Sequence, residues 1–407
     1  MGALNPVRDH ATPVAIGVIG ATWSASVNPD ASIEITDTGG HRTVVQYAVA
    51  STERWHDPAV EPTLRRRRVE GSAVVEHRVH VPGGDVVVAV YAVPAPVGAG
   101  GVVVLAVSND SSAPVALACS HPDAVGPRPG AGVAVEGIDL GPGAVSFPIG
   151  HRTAVTVAIP VDGARDLHVN RLPDAERVAR GWLRQCDLRA RYVVAEWTEQ
   201  ITAARCELLL AHPRPADPVG ELLAAEELHQ MGHGASLGAR ELARLGESAA
   251  RHHGDDVLAP VALRAAARLL HGHGETRAAL DALRLADAMG AVGVHPALST
   301  VAPHDPGRFL HWVRAHLMSE QGVELCLFPA WQTAWDGAGV ELHDVDSTSG
   351  MVSAAVRWHG ERPALLWDVR GAIPETWRVR CPGLDPQWSS VERRGEVLLR
   401  TATTTRR

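Results

Sequence analysis

The sequence predicts an α+β multidomain protein with an N-terminal antiparallel β-sandwich, a central α-helical hairpin domain and a small C-terminal β module. Three observations lead there. Residues 13 to about 165 are valine-rich runs cut by turn residues. Near Leu172 the apolar period becomes helical, and from about Gly322 it returns to two. The expected boundaries are 1–168, 169–320 and 321–400, with a tail at 401–407 that reads as disordered. A chain of 407 residues exceeds one ordinary core and suits two or three domains.

The first module takes its strands from 44–50, 72–81, 85–93, 102–109, 114–119 and 154–159. Turn clusters such as Pro82-Gly83-Gly84-Asp85 and Asn109-Asp110-Ser111-Ser112 separate them. Short β-branched runs between such signals are the pattern of an antiparallel sandwich. The run Arg65 to Arg68 is the one basic cluster, and it reads as a solvated loop or strand edge.

The helical block opens at 174–186, where Val178, Ala179, Trp182, Leu183 and Cys186 share one face. Further helices are predicted at about 197–211, 217–231, 236–253, 256–272, 275–289 and 305–319. Asp217-Pro218 and Asp305-Pro306 each place a capping carboxylate before a first-turn proline. Seven helices with short loops pack as antiparallel neighbours. In the last module Val352, Ala354, Val356 and Trp358 alternate on one strand, and Leu365, Trp367 and Val369 on the next. His359-Gly360-Glu361-Arg362-Pro363 turns between them as a hairpin.

Composition narrows the function. A net charge of -8 argues against nucleic acid as the main partner. The N-terminus lacks a signal-peptide pattern, and no apolar run is long enough to span a bilayer, so a cytoplasmic protein without membrane attachment is expected. Every basic side chain is arginine; the chain has no lysine. Schiff-base chemistry and a P-loop lysine are therefore excluded. Five scattered cysteines read as reduced, buried side chains rather than disulfides or a zinc site.

Several segments resemble the six-hairpin glycosidases, whose catalytic domain is an (α/α)6 barrel. The stretch Gly339-Val340-Glu341-Leu342-His343-Asp344-Val345, leading to Ala355-Val356-Arg357-Trp358-His359-Gly360-Glu361-Arg362-Pro363, is similar to the β module that follows such barrels. Val81-Pro82-Gly83-Gly84-Asp85 with 104–109 is similar to the preceding sandwich. Ala179-Arg180-Gly181-Trp182-Leu183 and the 203–210 segment are similar to the barrel entry. The resemblance implies a carbohydrate-related protein with an incomplete α/α barrel, weak or lost hydrolase activity, an oligosaccharide ligand and no cofactor. Six hairpins need twelve helices, roughly 180 residues at minimum, and this block is shorter. It is also poor in the aromatic side chains that stack on sugars.

Glycoside hydrolysis needs two carboxylates. Glu226 is the leading candidate, since it shares the stripe of Val219, Leu222 and Leu223, where burial would raise its pKa as a general acid requires. A helix-edge acid beside an exposed Glu227 is the plainer alternative. Asp255 and Asp256 are further candidates, with an N-cap pair as their alternative. Trp331 and Trp335 lie in a Pro/Gly-rich loop and are candidates for a sugar-stacking platform, or for packing over the helices. His229 and His233 have zinc-ligand spacing but no third ligand, so no metal is expected. Gly234-Ala235-Ser236-Leu237-Gly238 matches a nucleophile-elbow pattern without its preceding strand, and Ser236 reads more simply as a helix cap. A rival to the carbohydrate reading is a non-catalytic scaffold built on the helical hairpin at 256–289.

Overall fold

The structure, a computed structural model, describes residues 12–98, 100–132, 138–165, 167–210, 217–234, 237–289, 304–348, 350–371 and 376–400. The chain divides into two compact units, Pro6–Arg184 and a second running from Gln185 onward together with the first five residues.

The first unit holds three antiparallel sheets. One is a meander of Val14–Ile16, Ser24–Val27, Ile33–Thr36 and Arg42–Val45. The second runs Ala154–Val161, Gly101–Asn109, Gly84–Pro94, Val75–Val81, Arg65–Arg68. The third runs Ala131–Gly132, Val145–Ile149, Val115–Cys119, Tyr47–Ala50, Trp55–His56. Alternate residues from all three, among them Val27, Ile33, Val49, Val88, Leu105, Leu117 and Ile159, form one core. The opposite face of the second sheet is also covered. Ala89, Tyr91, Val93, Val102, Val104 and Ala158 pack with Val169, Val178 and Ala179. Burial on both faces explains why 86–93 is almost continuously apolar instead of alternating.

Val178 and Ala179 belong to α1 (Ala175–Cys186). This helix therefore lies on the back of the sheet, and the first compact unit runs to Arg184. The Tyr91 hydroxyl donates to the Pro173 carbonyl at 2.8 Å, fixing the approach to α1. Pro82 and Gly83 form the turn between Val81 and Gly84, with Gly83 at φ +83° as the third position of a type II turn demands.

The arginine run is the edge strand of the second sheet. Arg65 and Arg67 face out, and Arg66 and Arg68 are buried. Arg67 makes two hydrogen bonds to Glu76, at 3.1 and 2.8 Å. Arg66 donates to the carbonyls of Thr12 and Val27, at 3.0 and 2.9 Å.

The second unit contains α2 (Thr198–Leu210), α3 (Pro218–Gln230), α4 (Ala239–His252), α5 (Ala259–Gly272), α6 (Thr276–Ala288) and α7 (Pro306–Leu317). Among the described residues the chain has seven α-helices. Both predicted caps form: Asp217 accepts from Gly220 N at 3.0 Å and Asp305 from Arg308 N at 2.9 Å. Helix α3 packs against α2, α4, α5 and α7, so it is buried on almost every side. That is why its apolar residues are not confined to a single stripe.

Two sheets complete this unit. The order Arg191–Val194, Val340–Ser347, Gly350–His359, Arg362–Arg370, Arg394–Leu398 is antiparallel throughout. The predicted hairpin is its centre, turning at Gly360. Met318–Gln321, Glu324–Leu327, Arg378–Cys381 and Asp385–Ser390 form the other sheet, with one parallel pair. The strand Arg191–Val194 precedes the helices in sequence yet pairs with Val340–Ser347. Helices α2–α7 and the C-terminal strands fall in the same compact unit. No described helix is long and apolar enough to cross a membrane. The 401–407 tail lies outside the described residues.

Candidate functional site

The strongest concentration of ionisable groups surrounds the C-terminal half of α3. Residues 226 and 227 are adjacent acids on a helix with neighbours on nearly all sides, and both are buried, at 1% and 0% exposure. Glu227 is thus an interior side chain, against the expectation of an exposed one. Two buried carboxylates need partners, and three helices and a strand supply them.

Glu226 is clamped between two guanidinium groups. Arg268 of α5 donates from Nε at 2.8 Å and also from Nη2, and Arg314 of α7 donates from Nη2 to the other oxygen. Arg314 also brings its Nε to 3.0 Å from Glu227 Oε1. The Tyr192 hydroxyl donates to Glu227 Oε2 at 3.1 Å. Arg205 of α2 lies 4.7 Å above the Tyr192 ring and donates to the Cys186 carbonyl and to Asp187, both at 2.9 Å. Three guanidinium groups thus face two buried carboxylates and Asp187. The neighbouring Gln230 closes the end of the helix onto the sheet, exchanging two hydrogen bonds with the Asp346 backbone at 3.0 and 2.8 Å.

This geometry reverses the acid expected at Glu226. Burial alone would raise its carboxyl, but Arg268 and Arg314 prevail and hold it far below the usual carboxylate range. A permanently ionised carboxylate with both oxygens engaged is no proton donor. Glu227 goes the other way: burial and the charge of Glu226 raise it, and Arg314 only partly offsets them. His311, which accepts from Arg314 at 3.3 Å, is held neutral by burial and by that guanidinium, at about 3.

The other predicted residues are not brought to this centre. Asp255 is exposed. Asp256 accepts from Leu258 N at 2.9 Å just before α5, and pairs with Arg308 at 2.6 Å. Arg308 also holds the α3 cap Asp217, at 3.1 and 3.0 Å, so one guanidinium ties helix starts together. Trp335 is 2% exposed and packs edge-on against Trp197, at 5.0 Å between ring centroids. It is a core residue and no platform. Trp331 is half-buried, donates to Asp336 at 2.9 Å, and lies 6.3 Å from the half-buried Trp358.

Helix α3 ends at Gln230 and Gly232 has φ +92°, so the turn that would stack His233 over His229 is broken. His229 approaches Asp346 at 3.5 Å, whereas His233 donates to the Gln185 carbonyl at 2.9 Å. Among the described residues no group of three or more metal-ligating side chains occurs. Ser236 lies outside the described residues, and Gly238 is the residue that precedes α4.

Sequence reasoning missed Arg205, Arg268, Arg314 and Tyr192. The available signal was the pairing of anomalies: two adjacent acids, Glu226 and Glu227, next to the apolar 222–225 run of α3, and an arginine among the apolar residues of α7. Compared with protein-family models and with curated proteins, the chain matches none.

Proposed function

We propose that this chain is a carbohydrate-binding, non-hydrolysing relative of the six-hairpin glycosidases. The observation that carries the reading is the fate of the Glu226–Glu227 pair. Glu226, the candidate acid, is buried and clamped by Arg268 and Arg314, which hold it ionised, so it has no proton to give a leaving group. Sugar contact then falls to the C-terminal β module, where the half-buried faces of Trp331 and Trp358 offer apolar surface beside the Asp336 carboxylate. A glycan array, a chromogenic glycoside panel and a sugar-induced thermal shift test this together. Binding to at least one glycan without turnover, weakened tenfold or more in Trp331→Ala, is the expected result. Turnover of any glycoside sinks the non-hydrolysing half. Silence on the array with no thermal shift sinks the carbohydrate half.

A second reading, a protein-interaction scaffold, has one observation behind it. Leu280 and Leu283 lie on a common face of α6 and are 49% and 38% exposed. Light scattering discriminates. A mass above 43.1 kDa that returns to the monomer value in Leu280→Glu/Leu283→Glu favours association. A monomer at every concentration, unchanged by those substitutions, counts against it.

A further inference from the structure

The end of α1 and the middle of α2 hold a pair of thiols in contact. Cys186 Sγ and Cys206 Sγ are 3.6 Å apart. Both residues are buried, at 2% and 1% exposure, and neither is disulfide-bonded. The Cys186 sulfur also lies 3.9 Å from the Thr202 carbonyl. A disulfide bond is about 2.05 Å long, so the sulfurs need to close by roughly 1.5 Å. Nothing in the spacing of 20 residues announced this meeting.

We propose that Cys186 and Cys206 form a reversible dithiol–disulfide site. The oxidant is a low-molecular-weight disulfide. One cysteine thiolate attacks it, forms a mixed disulfide and releases one small thiol. The second cysteine, after losing its proton, displaces the other small thiol and closes the Cys186–Cys206 bond. Two protein thiols are oxidised, and one small disulfide is reduced to two thiols.

Access is provided at one end. Cys186 is the last residue of α1, where helices fray. It is followed by Asp187 and by Leu188, which is 55% exposed. Opening that final turn exposes Cys186, and reclosure delivers it to Cys206. The consequence falls on the buried ionic centre. The closed loop spans 186–206 and contains the strand Arg191–Val194, whose Tyr192 donates to Glu227, and Arg205, which covers Tyr192. Oxidation thus fastens both ends of the segment that seals Glu227. Cross-linking a loop of that length removes freedom from the unfolded chain.

The test uses the full-length protein, incubated natively with excess oxidised glutathione and digested under non-reducing conditions. Trypsin cuts this lysine-free chain only at arginine. It releases Cys186 in the peptide 185–189 and Cys206 in a separate peptide that begins at residue 206. A mass equal to the two peptides joined, less two hydrogens, is the expected product. Two of the five thiols should disappear from a titration in denaturant. The melting temperature should rise on the order of 5–10 °C and fall back on adding a reductant. In Cys206→Ser the linked peptide and the rise should both vanish. Retention of all five thiols overturns the site. So does a linkage to a different cysteine, or a rise that persists in Cys206→Ser.

Discussion

The two units both bury arginine, and they satisfy it in different ways. In the β unit, Arg66 points into the interior and donates to the carbonyls of Thr12 and Val27. Beside it Tyr47 lies 2.7 Å from His77 Nδ1, and burial with Arg66 nearby holds His77 neutral, at about 3. In the helical unit, Arg314 and Arg268 are met by carboxylates. The difference follows from backbone chemistry. Strand ends and loops leave carbonyl oxygens unpaired, whereas helix interiors commit theirs to the i→i−4 ladder. Arg205 fits this within the helical unit, since it donates to the carbonyl of Cys186, at a helix C-terminus.

The largest effect should come from removing the cation between the two acids. Arg314→Met leaves Glu227 without its guanidinium and Glu226 with only Arg268. The cost should be about 3–5 kcal/mol, read by denaturant unfolding of the full chain. Arg66→Met removes the donor to the carbonyls of Thr12 and Val27, and should cost about 1–3 kcal/mol. Equal losses in the two variants would show that the backbone argument does not separate the units.

Acid should act through the same contrast. His77 and His311 have folded-state pKa values of about 3, depressed from 6.5, so folding favours the neutral form. Between those values the unfolded chain binds protons that the folded chain refuses. Stability is therefore full above about pH 6.5 and declines as pH falls toward 3, by about 1.4 kcal/mol per pH unit for a buried histidine. Glu226 adds to the decline below the ordinary carboxylate range, because its folded pKa is lowered. His77→Gln should flatten the upper part of the stability–pH curve. Protonation of His77 above pH 5, seen by NMR, would contradict its burial.

Much of this arrangement was legible in the sequence where local rules governed. All seven helices lie within three residues of their predicted starts, and Asp217 and Asp305 announced two of those starts. What escaped was non-local. Arg191–Val194 is four residues long and is a strand because Val340–Ser347, about 150 positions later, pairs with it. Glu227 was placed outside because a one-striped helix has an outside, and α3 does not. The general-acid reading of Glu226 failed for a related reason. Burial was foreseen, but the two arginines that reverse its effect arrive from helices α5 and α7, and only the fold brings them to it.

The smallest predicted effects separate the two units by how they use glycine. Gly307, in the first turn of α7, is packed against α3, and an added Cβ would lie 2.8 Å from Ala224 N and 2.9 Å from the Gly220 carbonyl. Both obstacles are backbone, so Gly307→Ala must push two helices apart, at about 1–3 kcal/mol. That shift would also loosen Arg308 from Asp217, which the same turn positions. Gly83, in the β unit, owes its place to conformation. Its φ of +83° strains any side chain, but its nearest obstacle is the hydroxyl of Ser112, which can rotate away. Gly83→Ala should therefore cost about 1 kcal/mol, and Gly83→Asn, which tolerates positive φ, still less. If asparagine at 83 restores nothing while Gly307→Ala is neutral, close helix approach is not what holds α7 to α3, and the Arg308 clamp is left as the element that does.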